Sequence, residues 1–356
     1  NSTYKEKKDI AYLYDDVIMN KKELSLRCDS ITFFSKENRL ESTGNPLIQD
    51  NDYQLDADRL IYFTELDSGI AIGDVTLLQN EQKIKADRLE YVKDSKSRAV
   101  SYRAIGNVEI IDSVRTAICG IASYDAKNEE IILNHKPRIT SEDRIIKGDQ
   151  IKLNYTDEVL KRIFIPKNAF ITSASVGYNQ LNIDSTNTLI SFEDRMSSKV
   201  LNGFFINGSL DSLRLIGMAS TTYHLFEDSL YKGKNLTSGD TIIMRFDEKD
   251  LDDIIVDGGS QGEYVPNKKT NDSDFPLIYS ADRIDYFLKT ETTKLIGNAK
   301  AKHENTDLKA GFIEVNWPTR ILNAFPKQPH DSINQFIKPT ICLLYTSDAA
   351  DEELRV

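Results

Sequence analysis

The chain has 356 residues, with 56 acidic and 45 basic side chains and a net charge of −11. That length allows two ordinary domains or one long stack, and the acidic balance, without a basic stripe, disfavours nucleic acid as a partner. No run approaches the roughly 18 apolar residues of a membrane-spanning helix, and the polar opening Asn1-Ser2-Thr3-Tyr4-Lys5 implies that an export signal, if the protein is exported, has already been removed.

Residues 1–20 hold Tyr12-Leu13-Tyr14-Asp15-Asp16-Val17, which reads as an edge strand or a first partial rung. A regular array follows. Ala57-Asp58-Arg59-Leu60-Ile61-Tyr62 returns as Ala86-Asp87-Arg88-Leu89-Glu90-Tyr91, and Gly73-Asp74-Val75 returns as Gly106-Asn107-Val108. Asp29, Asp58 and Asp87 fall 29 residues apart, and Gly44 and Gly73 each follow their Asp by 15. A fixed offset of this kind marks a repeat architecture, in which one unit cannot bury its inner face without its neighbours.

Each unit is read as two strands. One follows the Asp and ends near the Tyr; the other follows the Gly, with apolar residues two apart. Turn residues such as Asp67-Ser68-Gly69 and Lys93-Asp94-Ser95-Lys96 lie between. The Gly supplies φ > 0 at a corner, and the Asp is expected to bond backbone amides there. The longer spacing from Asp87 to Gly106, 19 residues, is read as a grown loop, and Arg138-Ile139-Thr140 and Ala169-Phe170-Ile171 as strands without the Gly.

The array is assigned to residues 1–165. A second, less regular β region spans 166–340, with strands such as Thr241-Ile242-Ile243 and a polar excursion over 264–277. Ala281-Asp282-Arg283-Ile284-Asp285-Tyr286 restarts the clean repeat, with Gly297 again 15 residues on. Residues 341–356 break both period and composition and are read as a non-native tail. The fold class is all-β, an elongated antiparallel stack of ~29-residue two-strand repeats.

Chemistry is sparse. Cys28 and Cys119 stand where the repeat elsewhere has Ala57, Ala86 and Ala281, and read as small buried side chains; Cys342 lies in the tail. His135, His224, His303 and His330 have no His or Cys at metal-ligand spacing and read as surface or turn residues. Gly258-Gly259-Ser260-Gln261-Gly262 has the composition of a phosphate cradle, but no helix pattern opens after it, so it reads as a tight turn. Asp56 with Asp58, and Asp250 with Asp252, are the carboxylate pairs a groove-type glycan lyase or hydrolase would use; among 56 acids such pairs also arise by chance.

The aromatics carry more. Tyr62, Tyr91, Tyr124, Tyr155 and Tyr286 take one place in successive units, either as an internal core stack or as the edge of an apolar trough. If the two walls of the stack do not close, Leu60, Tyr62, Val75, Leu77, Leu89, Tyr91, Val108 and Ile110 line a furrow. An apolar chain would bind there at about 0.8 kcal/mol per methylene. A shut interior would instead make the chain an extracellular or periplasmic β-solenoid structural or adhesion module. Exposed strand edges favour pairing with other chains.

The A-D-R-φ-x-Y strand, the G-N-V/G-D-V strand and the 29-residue alternation resemble the OstA-like family of lipopolysaccharide transport, the family of LptA and the LptD periplasmic domain. Gly239-Asp240-Thr241-Ile242-Ile243-Met244-Arg245-Phe246, Gly258-Gly259 and Gly262-Glu263-Tyr264 are most similar to the large OstA-like proteins of Bacteroidetes-type bacteria. The resemblance covers roughly residues 8–325. It implies a V-shaped antiparallel β-jellyroll, or β-taco, that lies in the periplasm or at the outer membrane and stacks head to tail with other Lpt-type proteins or with itself. It also implies lipopolysaccharide or a related lipid as partner, acyl chains held in the furrow, no catalysis and no cofactor. The length and the irregular middle depart from the small bridge protein, which leaves open whether the role is that of a bridge or of a translocon-associated domain.

Overall fold

The computed structural model describes residues 2–5, 9–21, 24–49, 53–79, 82–93, 100–142, 144–178, 189–247, 250–268, 275–319, 321–326 and 339–343. They form strands throughout, and the one helical turn among them is the 3-10 segment Ser35–Glu37. The chain divides into two compact units, Asn1–Lys167 and Asn168–Val356. The loop expected between Asp87 and Gly106, the middle of the polar excursion (269–274) and the tail beyond 343 lie outside the described residues.

Unit 1 runs β1 (Ser2–Lys5), β2 (Ile10–Lys21), β3 (Leu24–Phe34), β4 (Arg39–Thr43), β5 (Leu47–Gln49), β6 (Tyr53–Asp56), β7 (Arg59–Phe63) and β8 (Ser68–Gln79). It continues with β9 (Gln82–Lys93), β10 (Val100–Ile111), β11 (Arg115–Asp125), β12 (Glu130–Asn134), β13 (Arg138–Ser141), β14 (Arg144–Lys147), β15 (Gln150–Thr156) and β16 (Val159–Ile165). All its pairings are antiparallel, and strands next to each other in sequence mostly pair.

The structure shifts the strand boundaries expected from the repeat. Asp58 and Gly44 fall between strands as expected, and β7 starts at Arg59, but Asp29, Gly73, Asp87 and Gly106 sit inside long strands. β8 passes straight through Gly73-Asp74, and β10 through Gly106-Asn107, with the register slipping between Ile72 and Val75 and between Ile105 and Val108. The cause is local. Gly73 and Gly106 have φ of +78°, and Asp74 and Asn107 follow with φ of +38° and +44°, so two successive left-handed residues bulge the strand and bend it without breaking the ladder. The Asp of the neighbouring strand packs against that bend. A Cβ on Gly73 would lie 2.1 Å from Asp58 Oδ2, and one on Gly106 2.2 Å from Asp87 Oδ2. Asn107 Nδ2 donates to both Asp87 oxygens, at 3.1 and 3.0 Å, so side chain as well as backbone holds the corner.

The strands on either side of these corners pair separately, so unit 1 has two walls. β3 shows the split: Ser25–Arg27 pair with β5, whereas Ser30–Phe34 pair with β4. β8 pairs with β7 before its bend and with β6 after it, and β11 divides likewise between β12 and β13. Inward and outward side chains alternate along each strand. On the first wall, one inner row runs Leu26, Ile48, Leu55, Leu77, Ile84, Ile110, matched strand to strand. On the second wall, one inner row runs Ile31, Ser42, Leu60, Ala71, Leu89, Ala104, Ala122, Leu133, all buried. These rows are the core.

Unit 2 comprises β17 (Ala169–Tyr178), β18 (Leu189–Ser198), β19 (Val200–Ile206), β20 (Ser209–Glu227), β21 (Leu230–Asp247) and β22 (Asp250–Pro266). It ends with β23 (Leu277–Phe287), β24 (Thr292–His303), β25 (Thr306–Asn316), β26 (Ile321–Phe325) and β27 (Thr340–Leu343). The same corner recurs: Gly258 over Asp240 and Gly297 over Asp282, with Asn298 Nδ2 donating to both Asp282 oxygens at 3.0 and 2.9 Å. Gly258-Gly259, expected as a tight turn between strands, is such a bend inside β22, with φ of +80° and +60°. β20 splits between β19 and β18, and β25 between β26 and β27.

Candidate functional site

In unit 1 the two walls are packed together near the bend. Val75 and Ala86 on one side, and Ala71, Leu89 and Ala104 on the other, are buried to within a few per cent. Farther from the bend they separate around a cavity of about 430 Å³. That is roughly three times the ~150 Å³ apolar void that admits a benzene, and it has room for one acyl chain. Leu26, Ile48, Leu55 and Leu77 line it from the first wall, with Met19; Leu40, Ser42, Leu60, Leu89, Tyr62, Tyr91 and Tyr102 line it from the second.

The structure divides the eight residues singled out from the sequence. Leu60, Tyr62, Leu77, Leu89 and Tyr91 line the cavity. Val75 (2% exposed), Val108 (1%) and Ile110 (7%) point inward as expected but belong to the packed core. Position along the strand decides this for Val75 and Val108, the first inward residues after the bend, where the walls meet; Ile110 shares the row of Leu77 but lies two strands farther along it, outside the cavity lining. Thr76 and Glu109 alternate outward, and Glu109 pairs with Lys85 at 3.0 Å on the outer face.

The tyrosines form a second inner row, Tyr62–Gly69–Tyr91–Tyr102–Tyr124, across adjacent strands. Tyr102 was not among the residues read from the period, because it precedes the bend of its strand whereas Tyr62 and Tyr91 follow theirs. The Tyr102 and Tyr124 rings lie 5.3 Å apart. Gly69 interrupts the row for a steric reason: a Cβ there would sit 2.4 Å from the Tyr91 ring. Tyr155 lies one inward position farther out, since its strand mate Leu153 faces Ile131.

Tyr62 donates to Asp67 Oδ1 at 2.7 Å at the edge of the cavity. Burial, reinforced by this carboxylate, pushes its phenol up to about 12. Burial also raises Tyr91 and Tyr102 above the ordinary tyrosine value. The unfolded chain ionises near pH 10 while the folded phenols stay neutral, so their contribution is complete below about pH 10 and is lost as pH rises toward 12. We expect the urea midpoint to be level up to about pH 10 and to fall between about pH 10 and 12, in step with a delayed tyrosinate absorbance. A midpoint that stays level to pH 12 would contradict the burial of this row.

Among the described residues, no three His, Cys, Asp or Glu side chains converge as a metal site. Asp58 is committed to the Gly73 corner, and Asp252 to an ion pair with Lys289 at 3.3 Å. Cys28 and Cys119 are free and buried, and burial pushes both thiols up to about 11. One expectation fails: His224 is a part-buried strand residue of unit 2, not a surface or turn histidine. Asp194 Oδ1 accepts from its amide at 2.8 Å and meets its Nδ1 at 2.7 Å, and the ring lies 4.8 Å from that of Phe192. A carboxylate two strands away in sequence gives no periodic signal. His330 lies outside the described residues.

Unit 2 differs inside. Tyr279 and Tyr286 flank the bend of β23, and their hydroxyls bond each other at 3.0 Å across the walls. Tyr279 also donates to Asn235 Oδ1 at 2.7 Å, and Tyr286 is bonded to Thr237 Oγ1 at 3.3 Å. Tyr279 precedes Asp282 by three residues, as Ile84 precedes Asp87; unit 2 thus has a hydrogen-bonded phenol where unit 1 has an aliphatic side chain.

Residues 54–159 match the family described as LptA/(LptD N-terminal domain) LPS transport protein. Among solved structures, the chain is similar to that of LptH, the LptA-homologous periplasmic component of the lipopolysaccharide transport device of Pseudomonas aeruginosa. The identity is 15%, over 43% of this chain and 94% of that one, with a TM-score of 0.32. No curated protein matches the chain.

Proposed function

We propose, from the match of residues 54–159 to the family of LptA and LptD N-terminal domains, that unit 1 is a non-catalytic lipid-binding scaffold for lipopolysaccharide transport. It acts in the periplasm or at the outer membrane. The acyl part of the lipid lies between the walls, and the polar part stays outside. The observation that carries this reading is the cavity between two separately hydrogen-bonded walls, faced by aliphatic rows on both sides and rimmed by tyrosines. Its residues Tyr53 to Tyr102 overlap the matched segment. A chain of twelve methylenes, at about 0.8 kcal/mol each, gains ample driving force from such burial.

Photocrosslinking tests the reading. Probes placed at Leu77, Leu89 and Tyr91 are expected to give adducts with purified lipopolysaccharide, and probes at the outward Thr76 and Glu90 are not. Adducts confined to the outward pair, or none at any position, would refute it. In the same proposal, the strand edges at the ends of the units pair with other Lpt-type jellyrolls or with a second copy. Among the described residues, Val17–Lys21 of β2 pair only with β3.

The polar latch in unit 2 favours a second reading for that unit alone. With Tyr279, Tyr286, Asn235 and Thr237 bonded across its interior, it serves as a closed structural module.

A further inference from the structure

The units differ in one inner row, at the depth where unit 1 has its cavity. In unit 1 that row is Leu55, Leu77, Ile84 and Ile110, matched strand to strand, and Leu55 and Leu77 line the cavity. In unit 2 the row through Tyr279, three residues before Asp282 as Ile84 is three before Asp87, is Thr237, Gly262, Tyr279 and Ala301. On the other wall, Tyr91 and Tyr286 each stand four residues after the same Asp. The aliphatic neighbours Leu77 and Ile84 are thus exchanged for Gly262 and Tyr279. Space couples the two changes. A Cβ on Gly262 would lie 2.1 Å from the Tyr279 ring and 2.5 Å from its hydroxyl, so the phenol lies over β22 only because that side chain is absent. From there it donates to Asn235 Oδ1 at 2.7 Å and meets the Tyr286 hydroxyl of the opposite wall at 3.0 Å. Tyr286 also meets Thr237 Oγ1 at 3.3 Å, so both cross-wall bonds run through Tyr286. Buried hydroxyls are costly to strip of their partners, and an acyl chain brings none in exchange.

We infer that this latch decides which unit takes lipid: Tyr279, seated on Gly262, ties the walls of unit 2 together through Tyr286 and masks a second acyl-chain site, which unit 1 keeps open with Leu77 and Ile84 at the same places. This rests on the reading of unit 1 as the lipid-binding unit and goes beyond it by giving unit 2 a latent site of the same class. The next inner row of unit 2, Ile242, Val256, Ile284, Leu295 and Ile313, is wholly aliphatic and buried, so the polar groups that exclude a chain are those of the latch.

The test is photocrosslinking of the full chain to purified lipopolysaccharide, with one probe at Ala301, beside Tyr279 in its row, and a reference probe at Leu77. In wild-type protein the adduct yield from Ala301 is expected to be about a tenth of that from Leu77 or less. Tyr286→Phe, which removes both cross-wall bonds and no carbon, is expected to raise the Ala301 yield about tenfold and to leave the Leu77 yield unchanged. Gly262→Leu combined with Tyr279→Ile, which gives unit 2 the pair that unit 1 carries, is expected to do the same. The inference is overturned if wild type already crosslinks from Ala301 as it does from Leu77, or if a folded variant leaves the Ala301 yield at the wild-type level while Leu77 still gives adducts. It is also overturned if both variants fail to fold, which would show that the latch serves the fold and not the exclusion of lipid. If no probe gives adducts in any of these proteins, the lipid reading of unit 1 fails, and the inference goes with it.

Discussion

Gly73→Ala is expected to lower the stability of unit 1 by about 3 kcal/mol, a large loss for one methyl group. Two costs combine. Gly73 has φ of +78°, where an L side chain costs roughly 1–2 kcal/mol. The new Cβ would also lie 2.1 Å from Asp58 Oδ2 and 2.7 Å from its Cγ, so the carboxylate must leave its seat. The second cost belongs to Asp58 alone. In an Asp58→Ala background the same substitution should therefore cost only the backbone share, about 1–2 kcal/mol. Urea midpoints of the four proteins of this cycle measure the coupling. Equal losses in both backgrounds would mean that Asp58 does not occupy the space in front of Gly73, and the account of the repeat would be wrong.

This corner also explains what could be read from the sequence and what could not. Asp and Gly recur at a fixed offset because one packs on the other; the period was visible as a spacing of residue types without knowledge of the contact. The rule is that one partner must lack a Cβ, and it is symmetric. At the bend between β12 and β13 the partners trade places. Gly120 now faces His135, whose Cβ would be 2.7 Å from an added methyl, and His135-Lys136 take the left-handed pair with φ of +63° and +58°. A search for Asp-then-Gly misses this rung, although its geometry is the same. The inward faces were legible because alternation has a period of two. The depth along each strand was not, and depth separates Val75 and Val108 in the packed fold line from Leu77 and Tyr91 at the cavity. The Asp194–His224 pair left no signal because it joins residues remote in sequence.

Val108→Asp is the sharpest test of that separation. Val108 is 1% exposed and sits opposite Cys119 across the ladder; Val75, Ala86 and Ala104 in the adjoining inner rows are likewise buried and apolar. None of these offers a cation, and the Cys119 thiol is at most a weak donor to an introduced carboxylate; an unpaired buried charge costs several kcal/mol. The substitution is expected to remove about 4 kcal/mol or more of stability at neutral pH. Burial raises the folded-state value of that carboxyl above its unfolded value. The variant therefore loses least where the group is protonated in both states, below about pH 4, and loses progressively more as pH rises. Urea unfolding across pH 4 to 8, against wild type, reads both the size and the slope. One residue along, Glu109→Ala removes only a half-exposed ion pair with Lys85 and should shift stability by less than about 1 kcal/mol. Leu77→Gln, at the cavity, should weaken lipid crosslinking while the protein stays folded. Were Val108→Asp tolerated like Glu109→Ala, the walls would not meet at the bend, and the cavity would extend to the fold line.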